Sequence, residues 1–577
     1  MNRKVTVVVP IYNVEKYIGK MLDSLTAQDY ENFEALLIDD GSTDGSARVA
    51  AEYCRRDDRL RLISKKNGGV ASARNMGIDE ATGDFIVFWD PDDYVPPKAL
   101  RKMYSASVRN DADMTVGIMQ EESLGETSLY MHSVKLAAKK EISASDSHFL
   151  GAWSVCNKMF RMSFLRRHAL RFENIKYAED GVFTFTVLNR ARRITGCSTI
   201  AYRYIRRPFW EAPSATQKIS REYLSELLTA HMRILQEASK LAALTFGTDE
   251  KKINNYLEPL YVRLIEHEML GGYFRRIWKE QGDMLPLLNA YIKKYEKHIS
   301  NRSIKALRSR EKDIYAGGDL ISKEDMAANP LVSVILTENL TPGQAHMTAA
   351  SLYSGTFPRF ELLMPKTLRT GNEDVTCYEN VRILECAPGR GAAYKKKAVC
   401  AAKSDMVMII EEPVIFTGNT LRRMWNVLSS GSFDFVSVNV KHLGEDGIYP
   451  IGIAEACFGQ GRFVGRERGV INRLDPMMSN KLIQKSAIAE KSAFFSDDAG
   501  DDSQMLYALC SFRKLRRDPV LTAMTEDELK KNVRGSVSSF GIAVRRRINS
   551  GLDAVRKAAG RIITREDINR LKRLFRI

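Results

Sequence analysis

The chain has 577 residues, of which 44% are hydrophobic and 27% charged, too many for one core and enough for two or three domains. No run of about 18 apolar residues occurs, which excludes a transmembrane helix. The eight cysteines and eight histidines lie scattered without Cys-x-x-Cys or zinc spacing, so reduced thiols and a cytoplasmic setting are expected rather than a disulfide framework. Net charge is +16, and residues 530–577 alone hold 14 Lys/Arg against 3 Asp/Glu.

A first strand is predicted at VTVVVP (Val5 to Pro10), a continuous apolar, β-branched run suited to a buried parallel strand. Its early start leads to the expectation that no signal peptide precedes it. Tyr12 and Asn13 follow, then a helical pattern through Ile18, Met21, Leu22 and Leu25. A second strand, FEALLID, ends in Asp39-Asp40-Gly41-Ser42-Thr43-Asp44-Gly45. After a further helix comes the strand LRLIS, then Asn67-Gly68-Gly69, a helix with Ala73-Arg74-Asn75, and the strand FIVFW. That strand runs straight into Asp90-Pro91-Asp92-Asp93.

This β-α-β-α-β-α-β order predicts a doubly wound, mostly parallel α/β sheet. Ligands of such sheets bind beyond the carboxyl ends of the strands, where Pro10, Asp39-Asp40 and Asp90 to Asp93 all lie. Three carboxylates in four residues suit Mg²⁺ or Mn²⁺, which takes one or two carboxylates and completes its shell with water and substrate phosphate. Taken alone, the tetrapeptide reads better as a solvated acidic turn. The upstream clusters reverse that preference. A dinucleotide site is disfavoured because no Gly-x-Gly-x-x-Gly follows the first strand, and PIYNVEK is not the Gly-rich basic loop of a nucleotidyltransferase.

VVVPIYN, IDDGSTDGS, NGGVASARN and FWDPDD, in that order and spacing, resemble the nucleotide-sugar domain of family 2 glycosyltransferases, with the GT-A fold. The resemblance implies transfer of a sugar from a nucleoside-diphosphate sugar, UDP by family frequency, to an acceptor hydroxyl, with a divalent metal stabilising the leaving diphosphate. It implies Asp92 as the direct metal ligand and Asp93 as a second metal residue, with Asp90 and Asp93 lying toward the ribose or the donor sugar. It implies Asp39 and Asp40 in the nucleotide pocket, Asp40 at the base, with Pro10, Tyr12 and Asn13 lining it. Arg74 would neutralise phosphate or pin the acidic cluster; a surface salt bridge is an equal alternative.

Inverting displacement needs a general base on the acceptor. KYAEDGVFTFTVL places Glu179-Asp180 at the head of an apolar helical stretch and resembles the acceptor-side Glu-Asp pair of the family, with Asp180 as base and Glu179 as its positioning partner. An acidic helix N-terminus is the plainer reading. Trp153 and Cys156-Asn157-Lys158 match the region that shapes the acceptor pocket. Tyr202, Arg206 and Arg207 resemble a basic strand and loop that approaches the diphosphate, but PFWEAPSAT follows where the family carries Gly-Ser.

A second copy is legible after Pro330. ASLYSGTFPRFELLM parallels DSLTAQDYENFEALL at an offset of 327 residues, and VRILECAPGRGAAYKKKAVCAAKSDMVMIIEEPVIF parallels LRLISKKNGGVASARNMGIDEATGDFIVFWDPDDYV at 321. SNKLI echoes CNKMF, and Asp501-Asp502 echoes Glu179-Asp180. This is a tandem duplication in which the acids are lost: Lys366-Thr367-Leu368-Arg369 replaces Asp39 to Ser42, and Glu411-Glu412-Pro413-Val414 replaces Asp90 to Asp93. A Lys and a Val are poor Mg²⁺ ligands.

The expected architecture is therefore α/β, with tandem GT-A (Rossmann-like) domains: a catalytic domain at 1–217, a helical connector at 218–328, a degenerate copy at 329–525 and a basic tail at 526–577. In the tail, Phe540, Val544, Ile548, Leu552, Val555, Ala559 and Ile562 form one apolar helical face between basic clusters. This reads as a surface binder for anionic membrane lipids, or as a helix packed on the protein with a solvated basic face. Nucleic acid is disfavoured, since Phe540 and Phe575 are the tail's aromatics. The expected enzyme works in the cytoplasm, peripheral to the inner face of a cell membrane, on a glycan or lipid-linked acceptor of the envelope. Homo-oligomerisation stays open. The competing class is a non-catalytic scaffold binding nucleotide-sugar or glycan.

Overall fold

A computed structural model describes residues 3–123, 126–207, 221–275, 284–355, 357–368, 380–385, 391–411, 414–416, 420–429, 435–437, 451–452, 461–463, 481–488 and 515–517. The basic tail, Asp501-Asp502 and Arg369 lie outside them. The chain divides into two compact units, the first formed by residues 1–333, 349–362 and 376–382 and the second by 334–348, 363–375 and 383–577.

The first sheet contains β1 (Val5–Ile11), β2 (Phe33–Asp39), β3 (Leu60–Ser64), β4 (Phe85–Phe88), β5 (Met114–Ser123), β6 (Glu126–Leu129), β7 (Lys158–Arg161) and β8 (Ile194–Ile205). Its order is β3-β2-β1-β4-β7-β5-β6, with β8 on β5. β1 runs parallel to β2 and β4, and β2 parallel to β3. All seven residues of β1 are buried, as a central strand of a two-sided sheet requires. The parallel half meets the expectation from periodicity; β7 is antiparallel to both β4 and β5.

The connecting helices α1 (Ile18–Thr26), α2 (Ser46–Cys54) and α3 (Val70–Glu80) follow β1, β2 and β3 in turn, with α4 (Ala99–Arg109) after β4. Further on come α5 (Met131–Ala137), α6 (Met162–Arg167), α7 (Glu179–Leu188), α8 (Arg221–Phe246) and α9 (Glu250–Arg263). An aromatic cluster locks α7 against β4. Phe172 stacks on Phe183 at 4.0 Å between ring centroids, and Phe88 meets Phe172 edge-on at 5.0 Å. Glu179 and Phe183 are four residues apart and share a face of α7. Burying Phe183 beside Phe88 therefore turns Glu179 toward the end of β4.

Beyond α9 a π-helical stretch (Leu264–Phe274) and helices at Met284–Glu296 and Asn301–Arg310 lead to the short hairpin of β9 (Tyr315–Ala316) and β10 (Asp319–Leu320). The second sheet comprises β11 (Val332–Leu336), β12 (Phe360–Pro365), β13 (Val381–Leu384), β14 (Met406–Ile410), β16 (Phe435–Ser437), β18 (Gly461–Phe463), β19 (Lys481–Gln484) and β20 (Leu515–Arg517), while β15 (Val414–Ile415) and β17 (Ile451–Gly452) pair separately. Its order is β13-β12-β11-β14-β19-β16-β20-β18. There β19 is antiparallel to β14 and β16, and β20 is parallel to β16.

Candidate active site

The carboxyl edge of the first sheet is stitched by its own side chains. Asp39, at the end of β2, accepts from the Ser42 amide at 3.1 Å. Asp40, buried, accepts from the amides of Gly68 at 2.9 Å and Gly69 at 2.7 Å and pairs with Lys65. Gly69 holds φ +86° at the entry to α3, a conformation glycine adopts without steric cost. Asn13, itself at φ +50°, accepts from the Thr43 amide at 2.8 Å. Pro10 is buried in β1, while Tyr12 is half exposed. The geometry thus commits Asp40 to shaping the β3–α3 turn, a structural duty beside its expected one at the base.

The acids after β4 take three different partners. Asp90 Oδ1 accepts from Arg74 Nη2 at 2.8 Å, and its Oδ2 accepts from the Cys156 thiol at 3.3 Å. Burial pushes that thiol well up, which keeps it a donor. Asp92 Oδ2 accepts from Arg207 Nη2 at 2.5 Å; burial and then the Asp90 charge raise the Asp92 carboxyl, against the guanidinium. Asp93 departs from the expectation of a metal ligand. Its Oδ2 accepts from Tyr202 Oη at 2.5 Å and its Oδ1 from the Ile205 amide at 2.6 Å. Only 2% exposed, it fastens β8 to the turn. Arg206, expected near the diphosphate, is held by Glu121 at 2.8 and 3.1 Å.

Arg74 joins the acids after β4 to the head of α7. Only 3% exposed, it donates through Nη1 to Glu179 at 2.5 Å and through Nη2 to Asp90. Its guanidinium lies 5.3 Å from the Phe172 ring, and Asn75 clamps the Phe172 backbone with two hydrogen bonds of 2.8 and 2.9 Å. Arg74 thus bridges two of the acids from a buried position rather than from the helix surface.

Glu179 and Asp180 head α7, preceded by Ala178 in the left-handed region at φ +56°, a strained conformation for a residue with a Cβ. Burial pushes Glu179 up to about 7, with Arg74 opposing and Asp180 adding. Asp180 is also raised, first by burial, and accepts from the Gly181 amide at 2.7 Å. Lys158 is completely buried; its ammonium donates to the carbonyls of Ala152 at 2.8 Å and of Ser154. Thr184 donates to the Trp153 carbonyl at 2.6 Å, so three successive carbonyls of the loop bearing Trp153 are capped.

Tyr202 on Asp93, Cys156 on Asp90 and Arg207 on Asp92 are pairings that sequence reasoning missed. The strand carrying Tyr202 and the Cys-Asn-Lys motif were the available signals, but no spacing rule links them to the acids. Among the described residues, no group of three or more His, Cys, Asp and Glu could form an all-protein metal cage. A Mg²⁺ or Mn²⁺ site completed by phosphate does not need one. Asp92 fits such a site, since a cationic group already lies against its carboxylate, with Asp90 beside it.

Residues 6–171 match the family model described as glycosyl transferase family 2, the family that the four motifs resemble. The uncharacterized glycosyltransferase EpsJ of Bacillus subtilis (strain 168) is 32% identical over 213 residues, covering 35% of this chain and 61% of that protein. Poly(ribitol-phosphate) beta-N-acetylglucosaminyltransferase TarS of Staphylococcus aureus (strain Mu50 / ATCC 700699) is 30% identical over 205 residues, 35% of each chain. The crystal structure of S. aureus TarS 1-349 in complex with UDP aligns at 22% identity and a TM-score of 0.41, over 54% of this chain and 85% of that one. The chain spans less than two thirds of the two curated relatives.

Proposed function

We propose that this chain is an inverting, metal-dependent glycosyltransferase that moves a sugar from a UDP-sugar to a hydroxyl of an envelope or surface glycan. The observation that carries the reading is the Arg74 bridge between Asp90 and Glu179, which sets donor-side and acceptor-side acids against each other across one buried guanidinium. Family 2 similarity over residues 6–171 supports it, and the names of relatives acting on poly(ribitol-phosphate) favour a polymeric envelope acceptor.

In this reading Asp92, with Asp90 beside it, holds Mg²⁺ or Mn²⁺. When bound, the ion neutralises charge on the leaving diphosphate. Tyr12 and the Asn13 and Asp39-Asp40 turns border the nucleotide. Asp180 takes the proton of the acceptor hydroxyl as that oxygen attacks the anomeric carbon. Glu179, fixed by Arg74, orients the acceptor. The raised proton affinity of Asp180, pushed up first by burial, suits a general base.

We read the second sheet as a degenerate copy of the first. The strand series β13-β12-β11-β14-β19-β16 against β3-β2-β1-β4-β7-β5 supports this. So do two recurring side-chain pairs. Thr6 donates to Glu34 at 2.6 Å, and at offset 327 Ser333 donates to Glu361 at 2.6 Å. Arg74 pairs with Asp90, and at offset 321 Lys395 pairs with Glu411. The nucleotide carboxylates have no counterpart at Lys366 and Thr367. The domain limits, the lipid-binding tail and a location at the inner membrane face belong to the same proposal. The described residues contain no helix long and apolar enough to cross a membrane.

The test is release of UDP from a panel of UDP-sugars, with and without a glycan acceptor. Wild type should turn over one of them and Asp180→Asn should not. Wild-type levels of turnover in Asp180→Asn would remove the assigned base. A non-catalytic scaffold would turn over none.

A further inference from the structure

Arg207 is held more closely than a phosphate-binding side chain waiting for its ligand needs to be. Its guanidinium donates to Asp92 at 2.5 Å and lies 3.7 Å from the centroid of the Tyr17 ring, and its side chain is 8% exposed. The backbone immediately before Arg207 is anchored. The Ile205 amide donates to Asp93 at 2.6 Å, the Arg206 amide donates to the Glu122 carbonyl at 2.9 Å, and the Arg206 side chain is engaged by Glu121. The chain thus aims Arg207 at Asp92.

We propose that Arg207 is a resident counter-cation that competes with the divalent metal for Asp92 and makes metal binding depend on the diphosphate. The inference rests on the metal-dependent reading above. A divalent ion on Asp92 and a guanidinium on the same carboxylate would be like charges within about 5 Å, which disfavour one another. Metal alone must therefore displace Arg207 from a stacked, charge-paired position and leave it without its carboxylate. A nucleoside diphosphate changes the balance, because its oxygens offer the displaced guanidinium a planar, bidentate anionic partner. Metal and diphosphate then bind together, and by linkage each strengthens the other by the same factor. Asp92 is also the acid of the turn best placed for such exchange. Asp93 is closed off by Tyr202 and Ile205, and Asp90 is held by Arg74.

Mn²⁺ binding to the full chain, followed by electron paramagnetic resonance of the free ion with and without UDP, tests this without any turnover. Wild type should bind Mn²⁺ weakly alone and about tenfold or more tightly with UDP, within the usual range of such couplings. Arg207→Gln should bind Mn²⁺ alone about tenfold more tightly than wild type and lose most of the gain from UDP. Arg207→Lys, which keeps a cation, should keep the weak binding of Mn²⁺ alone, and Asp92→Asn should lose the site. Unchanged or weaker Mn²⁺ binding in Arg207→Gln, with binding lost in Asp92→Asn, would overturn the competition and leave the metal-dependent reading intact. Absence of a Mn²⁺ site from wild type and Arg207→Gln alike, with or without UDP, would remove both.

Discussion

Arg74 and Glu179 lie 105 positions apart in the chain and meet at 2.5 Å in a buried ion pair, whose guanidinium also holds Asp90 at 2.8 Å. A single side chain on α3 thereby fixes the end of β4 relative to the start of α7. Removing it strands two carboxylates near a third, Asp180. Arg74→Met should lower stability by about 3–5 kcal/mol, the usual result of breaking a buried pair from one side. Arg74→Lys should recover part of this and little of the geometry, since an ammonium cannot fork to both acids as a guanidinium does. Urea denaturation of the three proteins checks the order wild type, Lys, Met.

The acid pair makes a pH prediction with a definite sign. Burial raises Glu179 to about 7 despite Arg74, so the folded state holds this proton more tightly than the unfolded chain. The group's contribution to stability is present below its ordinary carboxylate range, near pH 4.5, and is lost as pH climbs toward 7. Glu179→Gln should remove that downward slope between about pH 4.5 and 7, measured by thermal melting across the range. Turnover should rise with pH on a limb displaced upward from the ordinary Asp range, because Asp180 must be ionised to accept the proton. A limb at the unperturbed Asp value would contradict the placement of the base.

His231, on α8, works in the opposite direction. It is fully buried, and neither ring nitrogen has a partner among the described residues; burial pushes it down to about 3. The unfolded chain therefore binds more protons than the folded one between about pH 6.5 and 3, and stability falls as pH falls through that window. His231→Leu should flatten this acid limb and raise the midpoint of acid unfolding. Unchanged acid sensitivity in the variant would show that the imidazole is not neutral in the fold.

Gly181 follows the proposed base and has no room for a side chain. A Cβ there would come within 2.7 Å of the Trp153 ring and 2.9 Å of Ile234 Cδ1. Gly181→Ala should cost about 1–3 kcal/mol through overpacking and displace Trp153 from the loop that Lys158 and Thr184 cap. Tryptophan fluorescence and melting temperature report both effects.

The parallel half of the first sheet was legible because β1, β2 and β4 are buried apolar runs, each ending in polar turn residues, with the half-exposed β3 between turn signals. The motif placed Glu179-Asp180 at the head of a helix, where α7 begins, and Arg74 does bridge Asp90 and Glu179. Asp93 was not legible as a structural residue, since its partners Tyr202 and Ile205 lie 109 and 112 residues away. Nor was the antiparallel β7, whose four residues KMFR carry no alternation to read. Such pairings are decided by packing between distant segments, which local periodicity does not encode. The recurring ion pair Lys395–Glu411 was visible only as two substitutions until the fold brought them together.

The central claim is that a nucleotide-sugar donor binds with metal at the carboxyl edge of the first sheet. Calorimetric titration of UDP in the presence of Mn²⁺ into wild type, Asp92→Asn and Glu411→Gln tests it most directly. Metal-dependent binding in wild type and Glu411→Gln, lost in Asp92→Asn, is the predicted result. Binding that survives in Asp92→Asn and disappears in Glu411→Gln would contradict it and move the donor site to the second sheet.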